Sequence, residues 1–425
     1  MDPAEMAEAL DARADELSPY TPPRLRTGSI ARLEARYASG PLADTIAALR
    51  GKMLQRWDGE TPVTYPVVVF PAVPGQTLAS VLPANNVDSH RQSAARAERL
   101  AIRDPFPRLR RWMAANPGKS YAEALKATTS GWNLCMTSLK RDGDGHLVIG
   151  ARLAEYGLIL DSCDALIDET FLGDTDAAWP LRDALEAHEN PFDSGLHRAA
   201  GIGIAAVVTV VEREPNGSHV LSALVGRRSK EVGTYQDTWH VAPAGMFNYR
   251  FGSRRPHRDP LVRHGAYDSG DTLRSVLTEY AEETRNIAKL EDNTNREYLE
   301  GLEVVRDLVD VAQIEFTGIA LDLANLRPEI CVLIYVKDPA WHGKQEFALN
   351  YEYDFEPSPV GHAREPGEKR KLTAVPVARD GRPLDDALDI LTPEQTVAAG
   401  AAAFWLGADR ARQLFNDDLA KRGQV

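Results

Sequence analysis

Apolar positions along this chain recur with two periods, one suited to helices and one to strands, and the change between them divides the sequence. Residues 1 to about 60 show helical spacing broken at Thr21-Pro22-Pro23, and Tyr65–Phe70 (YPVVVF) predicts a short strand closed by a Pro- and Gly-bearing turn. A basic, helix-like stretch follows, carrying Arg91, Arg96, Arg99, Arg103, Arg108, Arg110 and Arg111, and a further helix is expected from near Ser120. Only Phe106 interleaves these arginines, so a solvated face is expected ahead of a phosphate-binding one. His146–Leu160 reads as a strand entering a helical turn, and Asp161–Glu169 (DSCDALIDE) as a cap followed by exposed helix acids. Asn190-Pro191 and Asp193-Ser194-Gly195 punctuate the chain like a junction between domains.

Beyond that junction the pattern becomes strand-rich. Strands are expected at Ile202–Glu212 and His219–Val225 around a Pro215-Asn216-Gly217 turn, then at Trp239–Gly245 (WHVAPAG), Ala312–Ile319 and Ile330–Val336. An amphipathic helix (GDTLRSVLTEYAEETRNI) and a helical stretch near Tyr298–Val309 lie between them. Pro357–Gly381 reads as a long polar loop, and a final helix is expected from Thr392-Pro393-Glu394-Gln395, whose residue types suit a capping box. The alternation predicts an α/β or α+β fold: a mixed N-terminal domain over 1–195 and a layered domain over 196–425.

The length of 425 residues agrees with two domains, because single cores stop growing at about 250–300 residues. With 43% hydrophobic and 26% charged residues the chain has enough apolar material to fold, which confines disorder to local segments. A net charge of -13 disfavours a nucleic-acid polymer as partner, since such binding depends on cationic side chains displacing counterions. The longest apolar run, Ala199–Val211, falls short of the ~20 residues that cross a bilayer, so it predicts a buried strand and no membrane span. The acidic N-terminus lacks a basic region leading into an apolar stretch, and Cys135, Cys163 and Cys331 fit neither a metal knuckle nor a disulfide framework. These features point to a reducing, cytoplasmic setting. There is no phosphate-binding loop or nucleophile elbow, and Gly201–Ala206 (GIGIAA) opens a strand instead of joining a strand to a helix.

The candidate chemistry lies in the amphipathic helix. Leu273, Val276, Leu277, Tyr280, Thr284 and Ile287 form its packing face, which places the acids elsewhere. Glu279, Glu282 and Glu283 stand three and four residues apart, so their carboxylates share one strip and repel. Arg285 relieves part of that repulsion, and a hard cation such as Mg²⁺ or Mn²⁺ would relieve more. A solvated acidic face is the alternative.

The order strand, turn, strand ending in Arg227-Arg228, then WHVAPAG, then the glutamate helix resembles the Nudix superfamily. In that family the helix centre reads Arg-Glu-U-x-Glu-Glu-x-Gly, with U a bulky apolar residue. Here Thr278–Arg285 (TEYAEETR) matches it at Glu279, Tyr280, Glu282 and Glu283, while Thr278 stands in place of the arginine and Arg285 in place of the glycine. The resemblance implies a Nudix-like α/β/α sandwich with an insertion at Asn248–Ser269. It also implies a cytoplasmic hydrolase that uses Mg²⁺ or Mn²⁺ to cleave a diphosphate linkage in a small nucleoside-diphosphate-type metabolite. Glu279, Glu282 and Glu283 would be the metal ligands, with Glu279 and Glu283 catalytic. Arg227, Arg228 and Gly245 would meet the substrate, and one further acid would come from Glu315 or Glu329. Two alternatives stay open: a nucleotide-binding sensor without turnover, and the same fold recruited to other metabolite chemistry.

Overall fold

The computed structural model describes residues 27–58, 61–83, 87–92, 132–172, 179–229, 235, 237–247, 272–285, 305–345, 349, 372–384 and 387–421. Most of the Arg91–Arg111 run, the helix expected near Ser120, Ile287 and the Asn248–Ser269 insertion lie outside them. The N-terminal half supplies helices α1 (Thr27–Tyr37) and α2 (Gly40–Ala48), strands β1 (Lys52–Asp58), β2 (Thr61–Pro71), β3 (Val87–Gln92), β4 (Trp132–Arg141) and β5 (Leu147–Glu155), and helices α3 (Ala165–Leu172) and α4 (Pro180–Glu186). The C-terminal half supplies β6 (Gly203–Arg213), β7 (His219–Arg227), β8 (Trp239–Val241), β9 (Ala244–Met246), α5 (Thr272–Arg285), β10 (Ala312–Asp322), β11 (Pro328–Val336), β12 (Thr373–Arg379), β13 (Arg382–Pro383) and α6 (Ala398–Lys421).

The apolar run expected to be a buried strand is β6, and it occupies the middle of a ten-stranded sheet ordered β1-β2-β10-β11-β6-β7-β12-β13. β8 pairs with β7, and β9 pairs with β6. The β6–β11 contact is parallel, whereas every other pairing in this sheet is antiparallel. Consecutive residues of β6 enter opposite cores, because side chains alternate across a strand. Ile204, Ala206 and Val208 join one apolar cluster, while Ala205 and Val207 join the other. A strand buried on both faces needs this uninterrupted Val, Ile and Ala composition.

The second cluster is completed by α6, whose first half is rich in alanine. Small residues allow close approach there: a Cβ at Gly407 would lie 2.2 Å from Val207 Cγ1. The opposite face carries α5 and elements of the N-terminal half, including the three-stranded sheet β3-β5-β4. The result is a mixed α+β architecture with helices on both faces of a large sheet. No helix among the described residues is long and apolar enough to cross a membrane. Residues on both sides of position 195 share the main sheet, because β2 pairs with β10 from Gly318↔Pro71 to Asp322↔Val67.

Three expectations are corrected. Thr373–Arg379, expected within a loop, is strand β12, and Pro376 is tolerated because it sits at a register shift, where the ladder does not require its missing N–H. The final helix begins at Ala398, not near Thr392, because the preceding backbone pairs with β8. Trp239 N donates to Gln395 O at 2.7 Å, and Val397 N donates to Trp239 O at 3.0 Å. The acids of Asp161–Glu169 are not all exposed either, since Asp164 and Glu169 are buried.

Glu169 shows why. Its Oε1 accepts the Leu181 amide at 2.6 Å, and its Oε2 lies 3.6 Å from Arg182 Nε. Arg182 in turn donates to Tyr37 Oη at 3.0 Å, Thr170 Oγ1 at 2.7 Å and Ala324 O at 2.6 Å, tying α1, α3 and the β10–β11 turn together. Burial outweighs the attraction of Arg182 and pushes the Glu169 carboxyl up to about 7. The native state therefore holds a proton that the unfolded chain has released, so stability is expected to fall as pH rises from about 4.5 to about 7. Denaturant midpoints measured across that window should decline by a smaller amount in Glu169→Gln than in the wild type.

Candidate functional site

The described part of the glutamate helix, Thr272–Arg285, is helical as expected, but its acids do not all face away from the core. Val276, Leu277, Tyr280, Ala281 and Thr284 are buried, and so is Glu283, at 2% exposure. A buried carboxylate requires donors, because an unsatisfied one costs several kcal/mol. Glu283 Oε2 accepts the backbone N–H of Ala244 at 2.8 Å. One residue along, Gly245 lies under Glu279: a Cβ at that glycine would stand 2.5 Å from Glu279 Cδ and 2.5 Å from its Oε2. Strand β9 is thus gripped at successive residues by two of the three expected ligands. Glu282 is half-buried on the same helix.

Other charged groups reach the same region. Arg327 Nη2 contacts the thioether sulfur of Met246, the last residue of β9. Arg327 Nη1 lies 3.6 Å from Asp164 Oδ1, a contribution of the N-terminal half. Glu329, at the start of β11, lies opposite Gly203, where a Cβ would meet its carboxylate at 2.5 Å. Gly203 itself pairs with Met246. Burial raises the Glu329 carboxyl to about 7, opposed by Arg327 and Arg228 and reinforced by Asp322. Asp322 accepts Tyr235 Oη–H at 2.8 Å and the Ala324 amide at 2.8 Å.

The structure sorts the remaining candidates. Arg227 donates through Nε to Asp237 Oδ1 at 2.6 Å and is committed to that loop. Arg228 lies within electrostatic range of both Glu329 and His240. His240 is buried, its Nδ1 lies 2.9 Å from Val241 O, and burial followed by the neighbouring Arg228 depresses its pKa to about 3, so it is a neutral core group. Glu315 belongs elsewhere. It pairs with Arg410 at 2.6 Å, which holds its carboxyl below the ordinary range, and it lines a cleft of about 1060 Å³ between the Pro71–Ala79 segment, β10 and α6. Of the two further acids considered, Glu329 stands beside β9. Arg285 donates to Gln345 Oε1.

Carboxylate oxygens are hard donors that suit Mg²⁺ or Mn²⁺, and Mg²⁺ takes only one or two protein carboxylates besides waters and substrate phosphate. Glu279 and Glu283 lie against adjacent residues of β9. The oxygens of all three glutamates are not gathered within 4.8 Å; among the described residues that spacing is met by Asp142, Asp144 and His146 in the β4–β5 turn. In that turn Asp142 Oδ1 accepts the amides of Asp144 and His146, so the grouping follows from local turn geometry.

Sequence reasoning did not single out Arg327, Asp164, Asp322 or Tyr235. The signal was charge at both ends of the short turn between β10 and β11 (LDLANLRPE), where two otherwise apolar strands meet. No family model matches the chain, and no curated protein matches it.

The β9 contacts generate a direct expectation. Glu283→Ala orphans the Ala244 amide and should lower unfolding free energy by about 1–3 kcal/mol, whereas Glu283→Gln keeps an acceptor and should lose less. Denaturant unfolding of both variants, read by circular dichroism, checks the order.

Proposed function

We propose that this chain is a Nudix-like hydrolase that cleaves a diphosphate linkage in a small metabolite with Mg²⁺ or Mn²⁺. The observation that carries the reading is the seating of Glu279 and Glu283 on consecutive residues of β9, a geometry that gives the acid strip a purpose other than solvation. The placement of α5 and α6 on opposite faces, around a parallel β6–β11 pair, supports the finer reading of an α/β/α sandwich.

In this proposal Glu279 and Glu283 would hold the metal, and Glu282 would turn toward them to complete the set, since the three sets of oxygens are not gathered within 4.8 Å before metal binds. A divalent metal held there would supply charge neutralisation at the phosphate oxygens and would favour ionisation of the attacking water. The Ala244 amide keeps the Glu283 carboxylate oriented, and Gly245 leaves room for Glu279 to lie against the strand. Glu329, with a carboxyl near 7, suits acceptance of a proton from the attacking water at neutral pH.

A second reading has its own support. Thr278 in place of the family arginine, and glutamate oxygens that are not gathered within 4.8 Å, favour a domain that binds a phosphorylated ligand without turning it over. Release of phosphate or nucleoside monophosphate from a panel of diphosphate metabolites separates the two. Metal-dependent release in the wild type, reduced on the order of 100-fold or more in Glu282→Gln, is the expected outcome. A folded protein that shifts its melting temperature with nucleotide but releases no product would instead establish the binding reading.

A further inference from the structure

We infer that Arg327, assisted by Arg228, binds an oxyanion of the ligand beside the glutamate strip, so that the site grips its ligand by two guanidinium groups as well as by acids. This inference rests on the diphosphate reading and adds the groups that would hold the anion. It stands first on hydrogen-bond accounting. A guanidinium carries five N–H donors, and burying it is costly unless acceptors meet them. Arg327 is poorly served: Nε has no acceptor among the described residues, Nη2 faces a thioether sulfur, and Nη1 is 3.6 Å from Asp164 Oδ1, beyond hydrogen-bond range.

Access is the second observation. The Asp164 side chain is 1% exposed, whereas that of Arg327 is 11% exposed, so the arginine is the member of the pair that retains solvent contact. Placement is the third. Arg327 contacts Met246, the neighbour of the glycine under Glu279, and Arg327 and Arg228 both act on Glu329. Planar guanidinium forks match phosphate oxygens bidentately, which a thioether cannot reproduce. The charged groups around the pair are Asp164, Asp322 and Glu329, and an anion is admitted because Asp164 is enclosed against Arg327, Asp322 is occupied by Tyr235 and the Ala324 amide, and Glu329 is opposed by both arginines.

The test uses methylenediphosphonate, a diphosphate that resists hydrolysis, titrated calorimetrically into the full chain with and without Mg²⁺. Binding is expected without metal. Arg327→Lys keeps the charge opposite Asp164 but removes the fork, and should weaken affinity about tenfold at an unchanged melting temperature. Arg228→Gln should also weaken it, while Arg227→Gln, tied to Asp237, should bind like the wild type. Absence of binding in the wild type under both conditions overturns the inference, as does wild-type affinity in both Arg327→Lys and Arg228→Gln. The hydrolase reading fails separately: metal-free binding that depends on Arg327, in a protein that turns over no diphosphate, sustains the anion site while removing the enzyme. Turnover whose KM is unmoved by Arg327→Lys does the reverse.

Discussion

The hydrogen bond from the Ala244 amide to Glu283 is the contact around which the candidate site is organised. Glu283 is enclosed, so its carboxylate cannot rely on water, and the nearest backbone donor fixes both the depth and the rotation of α5. Once that rotation is set, Val276, Leu277, Tyr280 and Ala281 pack beneath the helix. Glu279, one helical turn earlier, then lies over Gly245, where any side chain would collide with it. A helix held only by its apolar stripe could pack in several rotations, whereas a buried acid on a backbone donor selects one.

A second set of buried charges joins the halves of the chain. Arg182 connects α1 and α3 to the carbonyl of Ala324, and Arg198 pairs with Glu189 while donating to Leu326 O at 3.1 Å. Arg327 answers from the same turn toward Asp164. The β10–β11 turn is therefore held by arginines of the N-terminal half and presents its own arginine back to an acid there. Breaking one partner of such a pair costs more than the pair contributes, because the remaining charge stays buried. The consequence for function is positional: the turn that carries Asp322, Arg327 and Glu329 cannot move independently of the N-terminal half.

How far the sequence disclosed this arrangement depended on range. Local pattern located β6, β7, β10, β11 and α5, since the strands are short, nearly continuous apolar runs and the helix carries its apolar residues at helical spacing. It misread Glu283 as lying off the core, because helical spacing alone does not reveal a backbone donor supplied by a strand some forty positions earlier. It misread Asp164 and Glu169 as solvent acids for the same reason: their arginines, Arg327 and Arg182, come from other segments. The glutamate strip was legible from spacing. The two arginines at the end of β7 were divided only by structure, which commits Arg227 to Asp237 and leaves Arg228 within electrostatic range of Glu329.

The most direct measurement is the anomalous scattering of Mn²⁺ in crystals of the full chain. A peak about 2.1 Å from carboxylate oxygens of both Glu279 and Glu283, beside Gly245, is the expected result. A peak confined to Asp142, Asp144 and His146, or none at β9 in crystals where the metal is demonstrably bound, would contradict it.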